Sequence, residues 1–166
     1  MTKPLRLTTP TPTSTRIVRG FDAPLHLVWR AHTEPELVRR WMTGPADHEL
    51  AVCELDVRVG GRGRYVWKNP EFSMGMDAVF LEIEPPAPQP DGSSRARIVH
   101  TEDFEGWPEG KSTVTTTFVE TAGRTTVTVD IDYLTQEARD AAMQPGFAEG
   151  YEASFTQLDA LASELA

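Results

Sequence analysis

A chain of 166 residues with one cysteine and a formal charge of -9 has material for one core, no partner for an intramolecular disulfide, and no attraction for phosphate backbones or anionic bilayers. No apolar run nears the roughly eighteen residues of a membrane span and no secretory leader is evident, so the reading is a soluble, cytoplasmic domain without nucleic-acid or membrane partners. The acidic excess collects at the end: residues 135–166 hold Glu137, Asp140, Glu149, Glu152, Asp159 and Glu164 against Arg139 alone, which favours a neutral, apolar or basic partner.

Residues 1–15, rich in threonine and proline, offer little to bury and are expected to form a disordered tail, with a single domain over 16–166. Thr15 to Phe21 reads as a first strand. Asp22-Ala23-Pro24 then ends it and opens a short helix to about His32, with Asp22 as the expected N-cap and Leu27, Val28 and Ala31 on its buried side. A second short helix follows Thr33-Glu34-Pro35, with Thr33 as cap, Leu37, Val38, Trp41 and Met42 as its apolar stripe, and Gly44-Pro45 as its stop.

From His48 the apolar period changes to two, and turn residues recur at hairpin spacing. The expected strands are 48–59, 62–69, 74–84, 95–105, 112–121 and 125–134, with Gly60-Gly61 and Ala122-Gly123 as turns and the proline-rich stretch 85–94 as an exposed loop. Thr135 opens a helical region that Gln144-Pro145-Gly146 interrupts. Beyond it, Phe147, Tyr151, Phe155, Leu158, Ala162 and Leu165 recur in steps of three and four, the stripe of one long amphipathic helix. The sum is an α+β fold in which a curved antiparallel sheet of six or seven strands wraps that helix.

Several motifs give this pattern a family resemblance. They are R-x-F-D-A-P-x-x-x-V-W-R-A-x-T-x-P-E at 19–36, R-R-W-M-x-G-P at 39–45, C-E-L-D-V-R-V-G-G-R at 53–62, T-E-D-F-E-G at 101–106, E-A-R-D at 137–140 and G-F-A-E-G-Y at 146–151. Together they resemble the START-related (SRPBCC, Bet v 1-like) superfamily, in the branch named after the C-terminal domain of the activator of the ninety-kilodalton heat-shock protein's ATPase. The resemblance implies a helix-grip fold with a hydrophobic cavity between sheet and long helix. It also implies several roles: binding of lipids, sterols or polyketides, occasional cyclase chemistry, or stimulation of a chaperone. Residues 87–95 read as an insertion relative to the family, and His100 stands where an aromatic or aliphatic residue is usual.

The residues expected to bind a ligand are Trp41, Tyr65, Trp67, Met76, Phe80, His100, Phe104, Trp107, Phe147, Tyr151 and Phe155, an inventory that suits a flat apolar molecule or, equally, a tight core. His100 and Glu102 share a strand face and are weak catalytic candidates, with Arg95 or Arg97 nearby; the alternative is a polar pair that satisfies itself. Asp56 and Arg58 read as a hairpin-stabilising pair, and Cys53 as a packed thiol. His26, His32 and His48 show no ligand spacing, so neither metal nor cofactor is expected. The leading function is binding of a hydrophobic small molecule. The alternatives are a chaperone-linked interaction module and a cyclase or hydrolase using His100 and Glu102; a homodimer is compatible with all three.

Overall fold

The computed structural model describes residues 4–44 and 47–166. Its strands are β1 (Arg6–Thr8), β2 (Ser14–Phe21), β3 (Glu49–Leu55), β4 (Arg62–Asn69), β5 (Phe72–Pro88), β6 (Ser94–Phe104), β7 (Ser112–Thr121) and β8 (Arg124–Tyr133). They form one antiparallel sheet in the order β1-β2-β8-β7-β6-β5-β4-β3. The helices are α1 (Leu25–Thr33), α2 (Pro35–Trp41), α3 (Gln136–Ala142) and α4 (Phe147–Leu165), with a single 3-10 turn at Pro108–Gly110.

The strands form where alternation is cleanest. In β7 and β8 every second residue is buried (Val114, Thr116 and Phe118; Val127, Val129, Ile131 and Tyr133), and β-branched residues dominate both, as a pleated half-buried surface favours. Ala122 (φ 54°) and Gly123 (φ 76°) close their hairpin in the left-handed region, the conformation whose twist matches the flanking strands. At Gly61 a side chain would meet the Asp56 carbonyl oxygen at 2.0 Å, so that turn admits only glycine. Register breaks between Leu50 and Val52, Phe80 and Glu82, and Glu84 and Ala87 bend the β3–β6 half of the sheet.

Several expectations need correction. The sheet has eight strands rather than six or seven, because part of the expected tail is structured: Arg6–Thr8 pairs with β2, and Leu5 and Leu7 pack on the core. What holds this segment comes from far away in sequence. The Arg139 guanidinium donates to the carbonyls of Thr11 (3.0 Å) and Ser14 (3.2 Å), and the Tyr133 amide donates to the Thr13 carbonyl (2.9 Å). Residues 1–3 of that tail, and Pro45 of the expected helix stop, lie outside the described residues.

Half of the proline-rich stretch 85–94 is strand, and the loop is confined to 89–93. β5 continues to Pro88, pairing Ala87 with Arg95 and Pro88 with Ser94, because a bulge at Pro85-Pro86 absorbs two residues that cannot donate to the ladder. The strand expected over 48–59 ends at Leu55, where the chain turns through 56–61. Asp22 does not cap α1: Pro24 occupies the N-cap, and the Glu120 carboxylate of β7 accepts from the Leu25 amide at 3.1 Å. Glu34, not Thr33, sits at the N-cap of α2, and the Thr33 hydroxyl bonds back to the Trp29 carbonyl. Thr135 does cap α3, accepting from the Ala138 amide. The break before α4 falls at Gly146, whose φ of 100° no other residue adopts comfortably.

α4 is fastened to the sheet by charge as well as by its apolar stripe. Arg19 of β2 is 4% exposed, and its guanidinium donates to Asp159 (2.7 Å), Glu152 (3.1 Å) and the Gly20 carbonyl (2.9 Å) while lying 4.9 Å from the Phe21 ring centroid. Arg40 of α2 pairs with Glu164 near the end of the same helix. Three acids of α4 are thereby engaged within the fold. Removing the cation of a buried pair leaves its partners uncompensated. Arg19→Ala is therefore expected to lower unfolding free energy by about 3 kcal/mol, at the low end of that class because Glu152 and Asp159 keep some solvent. Urea denaturation checks it, and a loss below about 1 kcal/mol would mean that the ion triad contributes no more than a surface pair.

Candidate functional site between the sheet and the C-terminal helix

The inner face of the sheet can be read from the register. Ile131 pairs with Val114 and Val114 with His100, which pairs with Phe80; in the next row Tyr133 pairs with Ser112 and Ser112 with Glu102. One pleat further on, Cys53, Tyr65, Met76 and Phe104 follow one another across β3, β4, β5 and β6. α4 packs its backbone closely on α1 and α2 and stands off from the strands, so side chains must span the distance between them.

The expected ligand-binding residues fall into two groups. Trp41, Phe80 and Phe155 belong to one buried cluster, with Trp107, Phe147 and Tyr151 packed against it at partial burial. Tyr65, Trp67 and Met76 belong to a second, with Phe104 against it, and Met42 touches both. Their rings form chains: Phe147–Tyr151–Phe155–Trp41 with centroid spacings of 5.3, 5.9 and 6.0 Å, and Tyr65–Trp67–Phe104 with spacings of 5.6 and 6.3 Å. Two of the rings are structurally anchored. The Trp41 indole donates to the Ala31 carbonyl (2.7 Å) and the Trp67 indole to the Met42 carbonyl (2.9 Å). Trp107 lies 6.4 Å from Tyr133 and directly over Gly110, where any side chain would collide with the indole.

His100 and Glu102 sit at the seam between the clusters. His100 pairs with Phe80 of the first and Phe104 with Met76 of the second, which leaves Glu102 between. His100 Nε2 and Glu102 Oε2 are 3.1 Å apart, with side chains 16% and 18% exposed. A carboxylate only accepts, so Nε2 carries the proton; Nδ1 is buried without a partner. Arg95 and Arg97 point away, to Asp91 and Glu82. Asp56 and Arg58 form an exposed pair in the turn before β4. Burial pushes the Cys53 thiol up to about 11, a packed and unreactive state.

Sequence reasoning gave His32 no place in the interior and left Tyr133 out of the expected binding residues. The His32 ring lies 4.8 Å from Trp41 and 4.9 Å from Phe118, and its Nδ1 donates to the Val28 carbonyl at 2.8 Å. Burial pulls its pKa down to about 4, and the nearby His100 adds to that. Desolvation is the main cause that raises the hydroxyl pKa values of Tyr65, Tyr133 and Tyr151, with Cys53 and then Glu102 adding for Tyr65 and Glu102 for the other two, so the three tyrosines stay neutral. The period-two pattern of β8 already marked Tyr133 as inward-facing; nothing local marks His32.

Two surface depressions, of about 640 and 290 Å³, lie elsewhere. The first is bordered by Asp47, His48, Glu49, Lys68, Asn69 and Pro70, the second by residues around Phe21 and Arg124, and none of the expected binding residues lines either. Among the described residues no cluster of three His, Cys, Asp or Glu side chains is placed to hold a metal ion, and no helix is long and apolar enough to cross a membrane.

A bent antiparallel sheet against one long C-terminal helix, with two short helices after the first long strand, defines the helix-grip class. Within that class the chain belongs to the family described as activator of Hsp90 ATPase homolog 1-like protein, whose model matches residues 22–163. A crystal structure of a Rhodobacter sphaeroides protein is 26% identical, covering 98% of this chain and 99% of its own, with a TM-score of 0.86. One from Nitrosomonas europaea is 25% identical over 95% of this chain and 100% of its own, with a TM-score of 0.75. A Mycobacterium smegmatis structure, 24% identical over 95% and 96%, shares the fold with a TM-score of 0.73. Among curated proteins, none matches the sequence.

His32 gives a pH prediction. Its folded pKa of about 4 lies below the ordinary imidazole value near 6.5, so between those values the unfolded chain takes up a proton that the folded chain refuses. Stability is lost as pH falls through that window, by up to about 3 kcal/mol at its lower end. Urea midpoints at pH 7 and pH 4.5 are expected to fall further for the wild type than for His32→Gln; equal falls would place His32 in contact with water.

Proposed function

We propose that this protein binds a hydrophobic small molecule, of lipid, polyketide or aromatic class, in the seam between its two apolar clusters beneath α4. The observation that carries the reading is the division of the interior. Two apolar clusters meet on either side of Glu102, and the rings at their border, Phe104 and Trp107 below and Phe147 and Tyr151 on α4, are only partly buried. A core built for stability alone would close such a seam with aliphatic side chains rather than leave a carboxylate and an imidazole at its centre. The two surface depressions are poorer candidates, because charged and polar side chains make up most of their rims.

The family description names an ATPase activator, and that interaction role is the second reading. Its natural docking surface would be the acidic face of α4, yet Glu152 and Asp159 are spent on Arg19 and Glu164 on Arg40. Turnover is not part of the proposal, since among the described residues no group donates to or accepts from His100 Nδ1 as a reacting partner would require.

N-phenyl-1-naphthylamine, an uncharged dye whose fluorescence rises in apolar surroundings, tests the binding reading. Saturable one-to-one binding is expected, weakened about tenfold by Tyr151→Ala and by Phe104→Ala, residues that border the seam from α4 and from the sheet. Absence of saturable binding, or binding that neither substitution changes, contradicts it.

A further inference from the structure

The seam carries more polar capacity than an apolar ligand alone would need, and its arrangement specifies what the ligand must bring. Tyr133 and Glu102 flank Ser112 in one row of the sheet, and Tyr65 lies in the neighbouring row. Tyr151 lies on α4 with its ring 5.3 Å from Phe147 and 5.9 Å from Phe155, and the charge of Glu102 adds to the burial that raises its hydroxyl pKa. The rings of Tyr65 and Tyr133 are 6% and 7% exposed. Among the described residues, none hydrogen-bonds to any of the three hydroxyls. Beside them His100 Nδ1 is buried without a partner, while its other nitrogen is held by Glu102.

Buried polar groups are almost always paired, so a buried His100 nitrogen without a partner, beside tyrosine hydroxyls that are unpaired within the chain yet reachable by solvent, marks a place where pairing comes from outside the chain. The inventory is asymmetric. The Glu102 carboxylate accepts, and His100 Nδ1 accepts when the ring is neutral; the tyrosine hydroxyls both donate and accept. Among the described residues Glu102 is paired with His100 and with no lysine or arginine, so a ligand carboxylate would meet a like charge offset at most by one imidazole, inside a protein of net charge -9. A hydroxyl group fits every requirement at once, because it gives one hydrogen bond and receives two.

Resting on the reading that the seam binds a ligand, we infer that the buried end of that ligand is an uncharged hydroxyl, as in an apolar alcohol or phenol, which donates to Glu102 or His100 Nδ1 and accepts from Tyr133 and Tyr151. The seam therefore selects against fatty acids and other apolar carboxylates. Ser112 and Ala78, small residues beside Glu102 on the inner face, leave the carboxylate approachable.

Calorimetric titration with 2-naphthol, 2-naphthoate and naphthalene at pH 7.5 tests this with three probes of nearly equal apolar body. The expected order is naphthol first, tighter than naphthalene by about fivefold and than naphthoate by tenfold or more. Glu102→Gln, which removes the charge and keeps the shape, is expected to bring naphthoate to within threefold of naphthol, and Tyr151→Phe to weaken naphthol to the level of naphthalene. Naphthalene binding as tightly as naphthol, or naphthoate binding as tightly or tighter, overturns the inference while leaving an apolar site in place. Failure of all three probes to bind removes the site itself. A selectivity that neither substitution alters places the binding elsewhere and overturns the assignment.

Discussion

The tie between Arg19 and α4 is the interaction on which the rest of the architecture depends. A helix that packs on α1 and α2 but stands off from the strands would be free to slide or collapse onto the sheet if apolar contacts alone held it. Arg19 rises from the inner face of β2 and reaches Glu152 and Asp159, two turns apart on α4, which fixes both the rotation and the height of the helix. Arg40 with Glu164 repeats the tie from α2. Such ion pairs contribute less net stability than an apolar isostere could, and specificity of register is their best-attested use. Here they hold a helix at a separation that side chains, rather than backbone contact, must fill.

What fills that separation is uneven. Around Phe21, Phe155, Leu158 and Phe118 the packing is complete. Toward the β4–β6 end it divides into two clusters with His100 and Glu102 at the join. The energetic tension is local. Among the described residues the contact with each other is the one hydrogen bond that the His100 and Glu102 side chains make, and His100 Nδ1 is left without a partner. Regions with this character are the ones a fold tolerates for function rather than for stability. Three of the four acids of α4 serve to position that helix, Glu152 and Asp159 through Arg19 and Glu164 through Arg40.

Much of the fold was legible in the sequence because it rests on local periodicity. The stripe from Phe147 to Leu165, the alternation of β7 and β8, the Thr135 cap and the Gly146 break each depend on residues a few positions apart. The N-terminal strand was not legible. Its ordering comes from Arg139 and Tyr133, more than a hundred residues away, and three residues of strand carry no pattern of their own. The proline-rich end of β5 misled for the opposite reason, since a bulge removed the conflict that proline normally creates. For the site, the face shared by His100 and Glu102 followed from spacing two. The placing of Tyr65 and Tyr133 on the inner face with Glu102, and of Tyr151 on α4, did not, because it requires the order of five strands and the position of α4 to be known first. His32 was invisible for the same reason: its neighbours Trp41 and Phe118 are brought to it by the turn between α1 and α2 and by the sheet.

The most direct measurement is a crystal structure of the protein grown with 2-naphthol. The account requires the naphthalene rings to lie between Phe104 and Tyr151, with the hydroxyl oxygen within hydrogen-bonding distance of Glu102 or His100 Nδ1. Naphthol bound instead in the depression beside His48 and Lys68, or a seam closed by repacked Tyr151 and Trp107 with no ligand inside it, would contradict it.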